Sequence, residues 1–352
     1  MNHSVVIKLD VRDPDLSKIR EFVRAAREGK LVVFPTETVY GIGGPMSVPG
    51  ISDRLVRLKE RTTDKPFSYH IGEKSMLEFL HVSRTASFRY MTRLFWPGPV
   101  TFLVLNQAGE KIGIRYPRHR VTTALINASG EPFIATSANR SGQPSPRTAE
   151  EAMEQLGDAV DYLIDCGKTE CAQDSSIVDL TAKTPQWVRR AAMAAEVDEA
   201  IRKVEAGKFP RKKILVVCTG NSCRSPMAAL WLEHALKQKG MAEEFEVTSC
   251  GIGARNGATA TAEAVLVMKN REMDLTPHRS RVITRDEVLD SDLILAMSQE
   301  HYGFIAGLVP SCREKIRVLS IPDPIGMAVP VYEEVMKNIE RKIKGMWAEL
   351  TA

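Results

Sequence analysis

The chain of 352 residues has little that would mark a membrane-spanning, secreted or fibrous protein. No apolar run approaches the ~20 residues that a bilayer span needs. The N-terminus, MNHSVVIKLD, lacks the basic start and apolar stretch of a signal peptide. The six cysteines are irregularly spaced and no two form C-x-x-C, which favours reduced thiols over a disulfide framework. We therefore predict a soluble, cytoplasmic protein with no membrane partner.

A strong charge imbalance is also missing, because the formal net charge is only +4. The first 206 residues carry 28 basic and 26 acidic side chains, and the remainder carries 20 and 18. Proteins that bind nucleic acid non-specifically usually have a strongly basic body. The balance therefore disfavours a protein that acts mainly as an RNA-binding module.

The length predicts two domains, and the chain offers one clear boundary between them. In EAGKFPRKK, a helical pattern stops at Gly207, Pro210 follows, and an apolar strand (ILVVC) then begins. Glycine and proline in this order end one element and prevent its continuation. We predict a first domain over 1–206, a linker over 207–211 and a second domain over 212–352.

Both domains have the pattern of an α/β fold. The second alternates strand and helix patterns, which predicts a doubly wound parallel sheet with helices on both faces. The first is less regular: strand patterns such as GKLVVFP, PVTFLVL, EPFIATS and SSIVDLT are separated by helical stretches, which favours a twisted mixed sheet.

One loop of the second domain, VVCTGNSCRSPM, has a chemically specific spacing. Cys218 ends an apolar strand, and Arg224 follows after five residues at the start of a helix pattern. Main-chain N–H groups of a tight loop and a helix N-terminus stabilise a thiolate. With a guanidinium they also bind the oxygens of a phosphoryl group. The spacing indicates a cysteine nucleophile for phosphorus, and Gly220 and Asn221 suit the unusual backbone angles of such a loop. Asp323, stiffened by Pro324, is the candidate general acid.

VCTGNSCRSPMA, SCGIGA, HRSR, LILAMS and the later Asp–Pro pair together resemble the low-molecular-weight protein phosphatase family. The resemblance covers Lys212 to about Leu350. It implies Cys218 as nucleophile, Arg224 as phosphate clamp and Asp323 as acid and then base, without a cofactor. It also implies that Cys223 pairs reversibly with Cys218 on oxidation. The predicted phosphate-binding loop consists of Thr219, Gly220, Asn221, Ser222, Cys223 and Ser225.

The substrate of this second domain stays open between two phosphorylated side chains, each presented by a phosphoprotein. Phosphotyrosine is the generic substrate of the family, whose members that use it carry a bulky aliphatic residue at the position of Ser222. The small polar Ser222 resembles the bacterial protein-arginine phosphatase branch more closely. Two histidines outside the motif, His278 and His301, are predicted to occupy packing or capping positions.

The first domain repeatedly places cations and hydroxyls at strand ends, in PTETVYGIGG, LKERTTDKPFSYHI, IGIRYPRHR, IATSANRSGQPSP and DSSIVDLT. Clustered cations and hydroxyls of this kind can bind a polyphosphate. Neither a P-loop nor a dinucleotide-binding glycine fingerprint is present in the sequence. The order and spacing of the segments, over about Val5 to Lys203, resemble the YrdC-like threonylcarbamoyl-AMP synthase family.

This second resemblance implies condensation of L-threonine, bicarbonate and ATP, with Mg²⁺ on the triphosphate and no protein metal site. Its product would supply the tRNA threonylcarbamoyl-transfer machinery. The implied threonine-binding residues are Thr36, His70, Arg115 and Ser175. The implied ATP-binding residues are Lys59, Arg61, Lys65, Thr136, Ser137, Asn139, Ser145 and Arg189. The alternative is a phosphatase whose first domain binds nucleotide or RNA without turnover.

Overall fold

The structure is a computed structural model that describes residues 4–59 and 67–351. The chain divides into two compact units, Met1–Gly207 and Lys208–Ala352. Within the described part of the chain, no helix has both the length and the apolar character needed to cross a membrane.

The first unit is built on one mixed sheet, which has ten strands among the described residues. These strands are β1 (Val5–Lys8), β2 (Val32–Phe34), β3 (Gly41–Pro45), β4 (Ser68–His70), β5 (Val100–Leu105), β6 (Lys111–Arg115), β7 (Phe133–Ser137), β8 (Tyr162–Asp165), β9 (Ser176–Asp179) and β10 (Gln186–Arg189). Their order in the sheet is β1-β8-β2-β3-β7-β4-β6-β5-β9-β10. The sheet contains both parallel pairs, such as β4 with β6, and antiparallel pairs, such as β3 with β7, so the predicted mixed sheet is confirmed.

The described residues of the first unit form six α-helices. They are α1 (Leu16–Arg27), α2 (Ile51–Leu58), α3 (Ala86–Phe95), α4 (Arg120–Ser129), α5 (Ala149–Leu156) and α6 (Ala194–Glu205). Short 3₁₀ turns occur at Lys74–Glu78 and Gly157–Ala159. Asp15 and Thr148 cap the N-termini of α1 and α5 through their side chains, as short polar residues commonly do. Phe22 and Tyr40 are among the fully buried side chains that fill the core.

The pairing of strands brings distant polar residues to one edge of this sheet. β4 and β6 run parallel with His70 opposite Arg115, and Thr101 of β5 lies opposite Arg115 on its other side. The carboxyl ends of neighbouring parallel strands meet at the same edge, so the last side chains of β4 and β6 are neighbours. The loop after β2 contributes Thr36 to the same region.

The second unit has a parallel sheet of four strands among its described residues. They are β11 (Lys212–Cys218), β12 (Phe245–Gly251), β13 (Leu293–Ala296) and β14 (Ile316–Val318), in the order β12-β11-β13-β14. The helices are α7 (Arg224–Gln238), α8 (Ala262–Lys269), α9 (Arg285–Asp290), α10 (Gln299–Leu308), α11 (Val329–Gly345) and α12 (Trp347–Thr351), with a 3₁₀ turn at Pro310–Lys315. This is the predicted doubly wound arrangement.

Side chains of β11 alternate between two cores, as the period of a strand requires. Ile214 and Val216 pack in the core that also holds residues of α7, α8 and α11. Leu215 and Val217 pack in the core on the other face, with residues of α9 and α10. Cys218 ends the strand at the carboxyl edge of the sheet, where open α/β sheets bind ligands.

Candidate functional sites

Polar side chains of the first unit converge on one cavity, which we call the polar cavity. Seven of the residues predicted for threonine or ATP lie in its wall, and they come from widely separated parts of the chain. These seven residues are Thr36, His70, Arg115, Thr136, Ser137, Ser175 and Arg189.

Arg115 is held at the wall of the polar cavity by the P-T-E-T segment. Its NH2 group donates to Thr38 Oγ1 at 2.7 Å and to Thr36 Oγ1 at 3.4 Å. The same group lies 3.1 Å from Oε1 of Glu37, and both side chains of this ion pair are almost fully buried. Nε of Arg115 is buried with no hydrogen-bond partner among the described residues. The guanidinium is therefore fixed, and it has a donor left for an acceptor such as a carboxylate.

His70 lies beside Arg115 as a neutral ring. Burial, and then the positive charge of Arg115, lower the pKa of His70 to about 3. Its Nδ1 is buried with no hydrogen-bond partner within the described ranges. A buried polar atom of this kind normally has a partner, so Nδ1 is suited to contact a ligand in the polar cavity.

Ser175 and Arg189 contact each other in the wall of the polar cavity. Arg189 donates from Nε to the main-chain oxygen of Ser175 at 2.8 Å and from NH2 to Ser175 Oγ at 3.0 Å. Ser175 Oγ also lies 3.2 Å from Thr101 Oγ1. The serine hydroxyl therefore links the base of the cavity to a cation at its rim.

Lys59 is not among the lining residues of the polar cavity, and its side chain contacts the S-A-N segment beside it. Its ammonium donates to the main-chain oxygens of Ser137 and Asn139 at 2.9 and 2.6 Å, and to Asn139 Oδ1 at 2.7 Å. Asn139 Oδ1 also accepts from Ser137 Oγ at 2.6 Å. Ser145 is half-buried in the loop before α5, outside the cavity wall. The two other predicted ATP cations, Arg61 and Lys65, lie outside the described residues.

In the second unit, the sulfur of Cys218 faces the turn of its own loop. We call residues Cys218–Ser225 the cysteine loop. The main-chain N–H of Asn221 donates to Sγ of Cys218 at 3.2 Å, and the hydroxyl of Ser225 lies 3.0 Å from the same sulfur. These contacts are of the type that stabilises a thiolate. The turn is made by Asn221 at φ +52°, whereas Gly220, also expected to adopt such angles, does not have positive φ.

The buried side chain of Asn221 fixes this turn through several hydrogen bonds. Its Nδ2 donates to Ser225 Oγ and to Ser249 Oγ, both at 2.9 Å, and its Oδ1 accepts from the main-chain N–H of Arg281 at 3.0 Å. The main-chain oxygen of Asn221 accepts from Ser280 Oγ at 2.6 Å and lies 2.7 Å from Nε2 of His278. SCGIGA and HRSR therefore hold the cysteine loop.

Gly251, opposite Cys218 in the pairing of β12 with β11, provides the space for the loop. A Cβ at this position would lie 2.4 Å from the main-chain oxygen of Thr219 and 2.9 Å from the main-chain nitrogen of Asn221. Only glycine permits the loop backbone to approach so closely.

Arg224 begins α7 and forms an ion pair with Asp323 through NH2. NH1 donates to the main-chain oxygen of Ile321 at 3.4 Å, and NH2 also donates to Thr219 Oγ1 at 3.2 Å. Nε is buried with no hydrogen-bond partner in the described part of the chain. Sγ of Cys223 lies 3.8 Å from Oδ1 of Asp323, so the predicted nucleophile loop, clamp and acid share one site.

The thiol of Cys223 differs from that of Cys218 in its surroundings. Burial, and then the nearby Cys218, raise the pKa of Cys223 to about 11. Cys223 is therefore protonated at neutral pH. Ser222 lies next to it, half-buried.

Two residues of the second site were missed in the sequence. His278 contacts the main chain of Asn221, and His301 contacts Thr219, its Nε2 lying 3.0 Å from Oγ1. Both were expected only to pack or cap, and for His301 no local pattern shows that α10 reaches the loop. HRSR itself was the available signal for His278.

Among the described residues, no group of three or more His, Cys, Asp or Glu side chains is arranged to hold a metal ion. Asp174 is the acidic residue in the wall of the polar cavity.

Comparisons with known proteins assign a different family to each unit. The Sua5/YciO/YrdC family model, described as "Telomere recombination", matches residues 24–191. The low molecular weight phosphotyrosine protein phosphatase model matches residues 213–352. Both predicted resemblances are therefore confirmed.

Two relatives of the first unit carry the name threonylcarbamoyl-AMP synthase, one of them as a putative one. A putative threonylcarbamoyl-AMP synthase of Mycobacterium tuberculosis H37Rv is 35% identical over 211 residues, which are 57% of this chain and 97% of that protein. The threonylcarbamoyl-AMP synthase of Pyrococcus abyssi is 34% identical over 193 residues, which are 52% of this chain but only 57% of that protein. The crystal structure of P. abyssi Sua5 complexed with L-threonine aligns with a TM-score of 0.54 at 24% identity, covering 90% of this chain and 99% of that one, which shows a shared fold.

The fold and its two sites thus define an enzyme in which a synthase-type unit precedes a phosphatase-type unit. The chain belongs to the Sua5/YrdC family of threonylcarbamoyl-AMP synthases, with a low-molecular-weight phosphatase domain fused after the family's domain.

Proposed function

We propose that the first unit condenses L-threonine, bicarbonate and ATP into L-threonylcarbamoyladenylate, which supplies the threonylcarbamoylation of tRNA. The observation that carries the proposal is the convergence of the seven predicted residues on the polar cavity. Its support from relatives is the name that the M. tuberculosis and P. abyssi proteins share.

The threonine end of the site is Arg115 with its neighbours. A carboxylate that meets Nε–H of Arg115 would replace no hydrogen bond made by the described residues, because Thr36, Thr38 and Glu37 contact NH2 and not Nε. His70, kept neutral by burial, can accept or donate a hydrogen bond without adding a charge beside Arg115.

The nucleotide end is formed by Thr136, Ser137 and Arg189. Lys59 acts there by keeping the S-A-N segment in place. A bound Mg²⁺ would supply neutralisation of the negative charge of the triphosphate. Mg²⁺ is usually held by one or two carboxylates together with substrate phosphates and water, and Asp174 is the side chain in the wall that fits this role. The protein's contribution is to align the threonine-derived carbamate with the α-phosphorus.

Pyrophosphate release by the purified chain tests this proposal. We expect release from Mg-ATP only when threonine and bicarbonate are both present. Arg115→Lys keeps the charge but loses the Nε donor, so we expect a raised KM for threonine with a smaller effect on the KM for ATP. Lys111→Arg, on the exposed start of β6, is the matched control. Binding of ATP or RNA without turnover would instead identify a non-catalytic module.

We further propose that the second unit hydrolyses a phosphorylated side chain through a phosphocysteine intermediate. Sγ of Cys218 attacks phosphorus, the P–S bond forms, and the bond to the leaving group breaks while the carboxyl of Asp323 gives that group a proton. Asp323 then takes a proton from water, whose oxygen attacks phosphorus. The P–S bond breaks, inorganic phosphate leaves and the thiolate is restored. The contacts of Cys218 Sγ with the Asn221 N–H and Ser225 hydroxyl carry this proposal.

We favour phosphoarginine over phosphotyrosine as the substrate. Ser222 at the loop is small and polar, and the apolar residues that follow Asp323 are the exposed, aliphatic Ile325 and Met327. Hydrolysis rates on the two phosphorylated side chains, presented in the same peptide, test the preference. We expect Ser222→Ile to reduce phosphoarginine hydrolysis more than phosphotyrosine hydrolysis, and Ser222→Thr to preserve the preference. Equal rates for the unmodified protein would contradict it.

A further inference from the structure

His301 connects α10 to the cysteine loop through a short chain of hydrogen bonds. Its Nε2 lies 3.0 Å from Oγ1 of Thr219, and its Nδ1 lies 2.7 Å from Oγ of Ser298. Oγ1 of Thr219 also accepts from NH2 of Arg224 at 3.2 Å. His301 is buried, with 1% of its surface exposed.

The charges around His301 indicate a neutral ring. Burial, and then the positive charge of Arg224, lower the pKa of His301, and Glu300 and Asp323 offset part of this effect. A histidine whose pKa lies below its ordinary value of about 6.5 is uncharged at neutral pH. One ring nitrogen therefore carries a proton and the other accepts one.

The contacts around Thr219 favour one ring nitrogen of His301 as the site of the proton. A guanidinium only donates, so Oγ1 of Thr219 accepts from Arg224 and retains its own proton to give. Nε2 of His301 lies in place to accept that proton, whereas an N–H at Nε2 would put a second donor, beside the cationic one, on the same oxygen. The proton then sits on Nδ1 and is donated to Ser298 Oγ.

The hydrogen bond between Ser298 and His301 does not serve to cap helix α10. Ser298 is the N-cap residue of α10, yet its hydroxyl makes no capping hydrogen bond to the helix backbone. It lies against the ring of His301, the third residue of the helix, instead. A good capping side chain is thus used to orient a ring that faces the cysteine loop.

We propose that His301 is a positioning residue of the phosphatase site: by accepting the proton of Thr219, it turns a lone pair of the threonine hydroxyl toward Arg224 and so orients the phosphate clamp. The inference rests on the proposed phosphatase function. Arg224 is then held by Thr219, Asp323 and the Ile321 carbonyl. Its Nε, which has no hydrogen-bond partner among the described residues, is presented to the phosphoryl group.

Steady-state hydrolysis of p-nitrophenyl phosphate by the full chain tests the proposal. We expect His301→Phe to lower kcat about tenfold, corresponding to about 1.4 kcal/mol, with KM changed less than about threefold. His301→Gln, whose amide oxygen can accept from Thr219, should recover most of the activity. His234→Phe, a half-buried histidine on α7, is the matched control. Unchanged kcat in His301→Phe, or no recovery in His301→Gln, would overturn the role.

A double-mutant cycle asks whether His301 acts through Thr219. Thr219→Val removes the hydroxyl and Thr219→Ser retains it. We expect His301→Phe to cause little further loss once Thr219→Val is present, because both changes remove the same contact. Multiplied losses in the double variant would show that His301 acts elsewhere.

A third measurement needs no variant to be active. Nitrogen-15 NMR of the histidine-labelled chain at neutral pH reports the tautomer, and His301→Gln assigns the signal. We expect a neutral ring protonated at Nδ1; a ring protonated at Nε2, or a cation, refutes the inference. If the unmodified chain hydrolyses no phosphate compound, the proposed phosphatase function fails. The NMR measurement of the His301 tautomer would still show whether the hydrogen bonds from Thr219 through His301 to Ser298 run in the inferred direction.

Discussion

Replacing Asn221 separates backbone strain from side-chain hydrogen bonding in the cysteine loop. Asn221→Gly removes the hydrogen bonds to Ser225, Ser249 and the N–H of Arg281 but accepts φ +52° freely. Asn221→Ala removes the same bonds but keeps a Cβ in a left-handed conformation, which costs about 1–2 kcal/mol relative to the glycine variant. Each lost buried hydrogen bond costs about 1 kcal/mol.

Two assays measure the outcome locally, because a single unfolding free energy is not defined for a chain with two units. Hydrogen exchange of peptides that cover 216–227 reports the opening of the loop. Hydrolysis of p-nitrophenyl phosphate reports its active form. We expect Asn221→Gly to exchange faster and react more slowly than the unmodified chain. Asn221→Ala should be a further ~10-fold less active, as 1–2 kcal/mol corresponds to about 5–30-fold.

The test depends on which of the two variants, Asn221→Gly or Asn221→Ala, is more active. An alanine variant at least as active as the glycine variant would show that the angle of Asn221 imposes no strain. Activity of both variants equal to that of the unmodified chain would show that the hydrogen bonds do not hold the loop. Asn221→Asp, which keeps the shape but turns donors to Ser225 and Ser249 into acceptors, should slow alkylation of Cys218 by iodoacetamide.

Three further changes test other parts of the molecule. Cys218→Ser should abolish phosphatase activity and leave pyrophosphate release unchanged, measured on one preparation; loss of both would mean that the two sites are coupled. Lys59→Met leaves the carbonyls of Ser137 and Asn139 without their charged donor, which should destabilise this segment by about 2–4 kcal/mol. Hydrogen exchange over 133–140 should therefore become faster. Unchanged exchange would refute the supporting role of Lys59. The pKa of His70 is about 3 when folded, below its ordinary value, so its neutral form stabilises the first unit fully above about pH 6.5. This contribution to stability falls by about 2 kcal/mol when the pH is lowered to 5. The stability of the first unit to urea should therefore depend less on pH in His70→Gln than in the unmodified chain. An equal pH dependence would show that His70 is not its cause.

Most of the cysteine loop could be predicted from the sequence because its chemistry is contiguous in the chain; the exception is the backbone of Gly220, whose φ is not positive. Cys218, Arg224 and the turn between them follow one another, and the strand and helix that present them have strong patterns. Asp323 is distant but stands in a recognisable Asp–Pro pair. What the sequence could not show is which segments pack against the loop, so the contacts of Gly251 and His301 emerge only from the structure.

The polar cavity was predictable as a set of residues but not as an arrangement. Its residues lie on strands whose order in the sheet differs from their order in the chain. Strand β3 was missed because glycine is rare in strands. Glycine is required at position 43 because a Cβ there would lie 2.1 Å from the main-chain oxygen of Ile134. Lys59 was expected at the ligand, whereas nearby main-chain oxygens hold its ammonium.

The alternation of side chains along β11 has a consequence for how the second unit can change over evolution. A deletion of one residue between Ile214 and Val217 would exchange the occupants of the two apolar layers and rotate the thiol by half a turn, away from its amides. Substitutions in this strand can be absorbed by neighbouring side chains, but a change in its length cannot. The direction in which the sulfur of Cys218 points is therefore set by the two-residue repeat of β11, several residues before the cysteine itself.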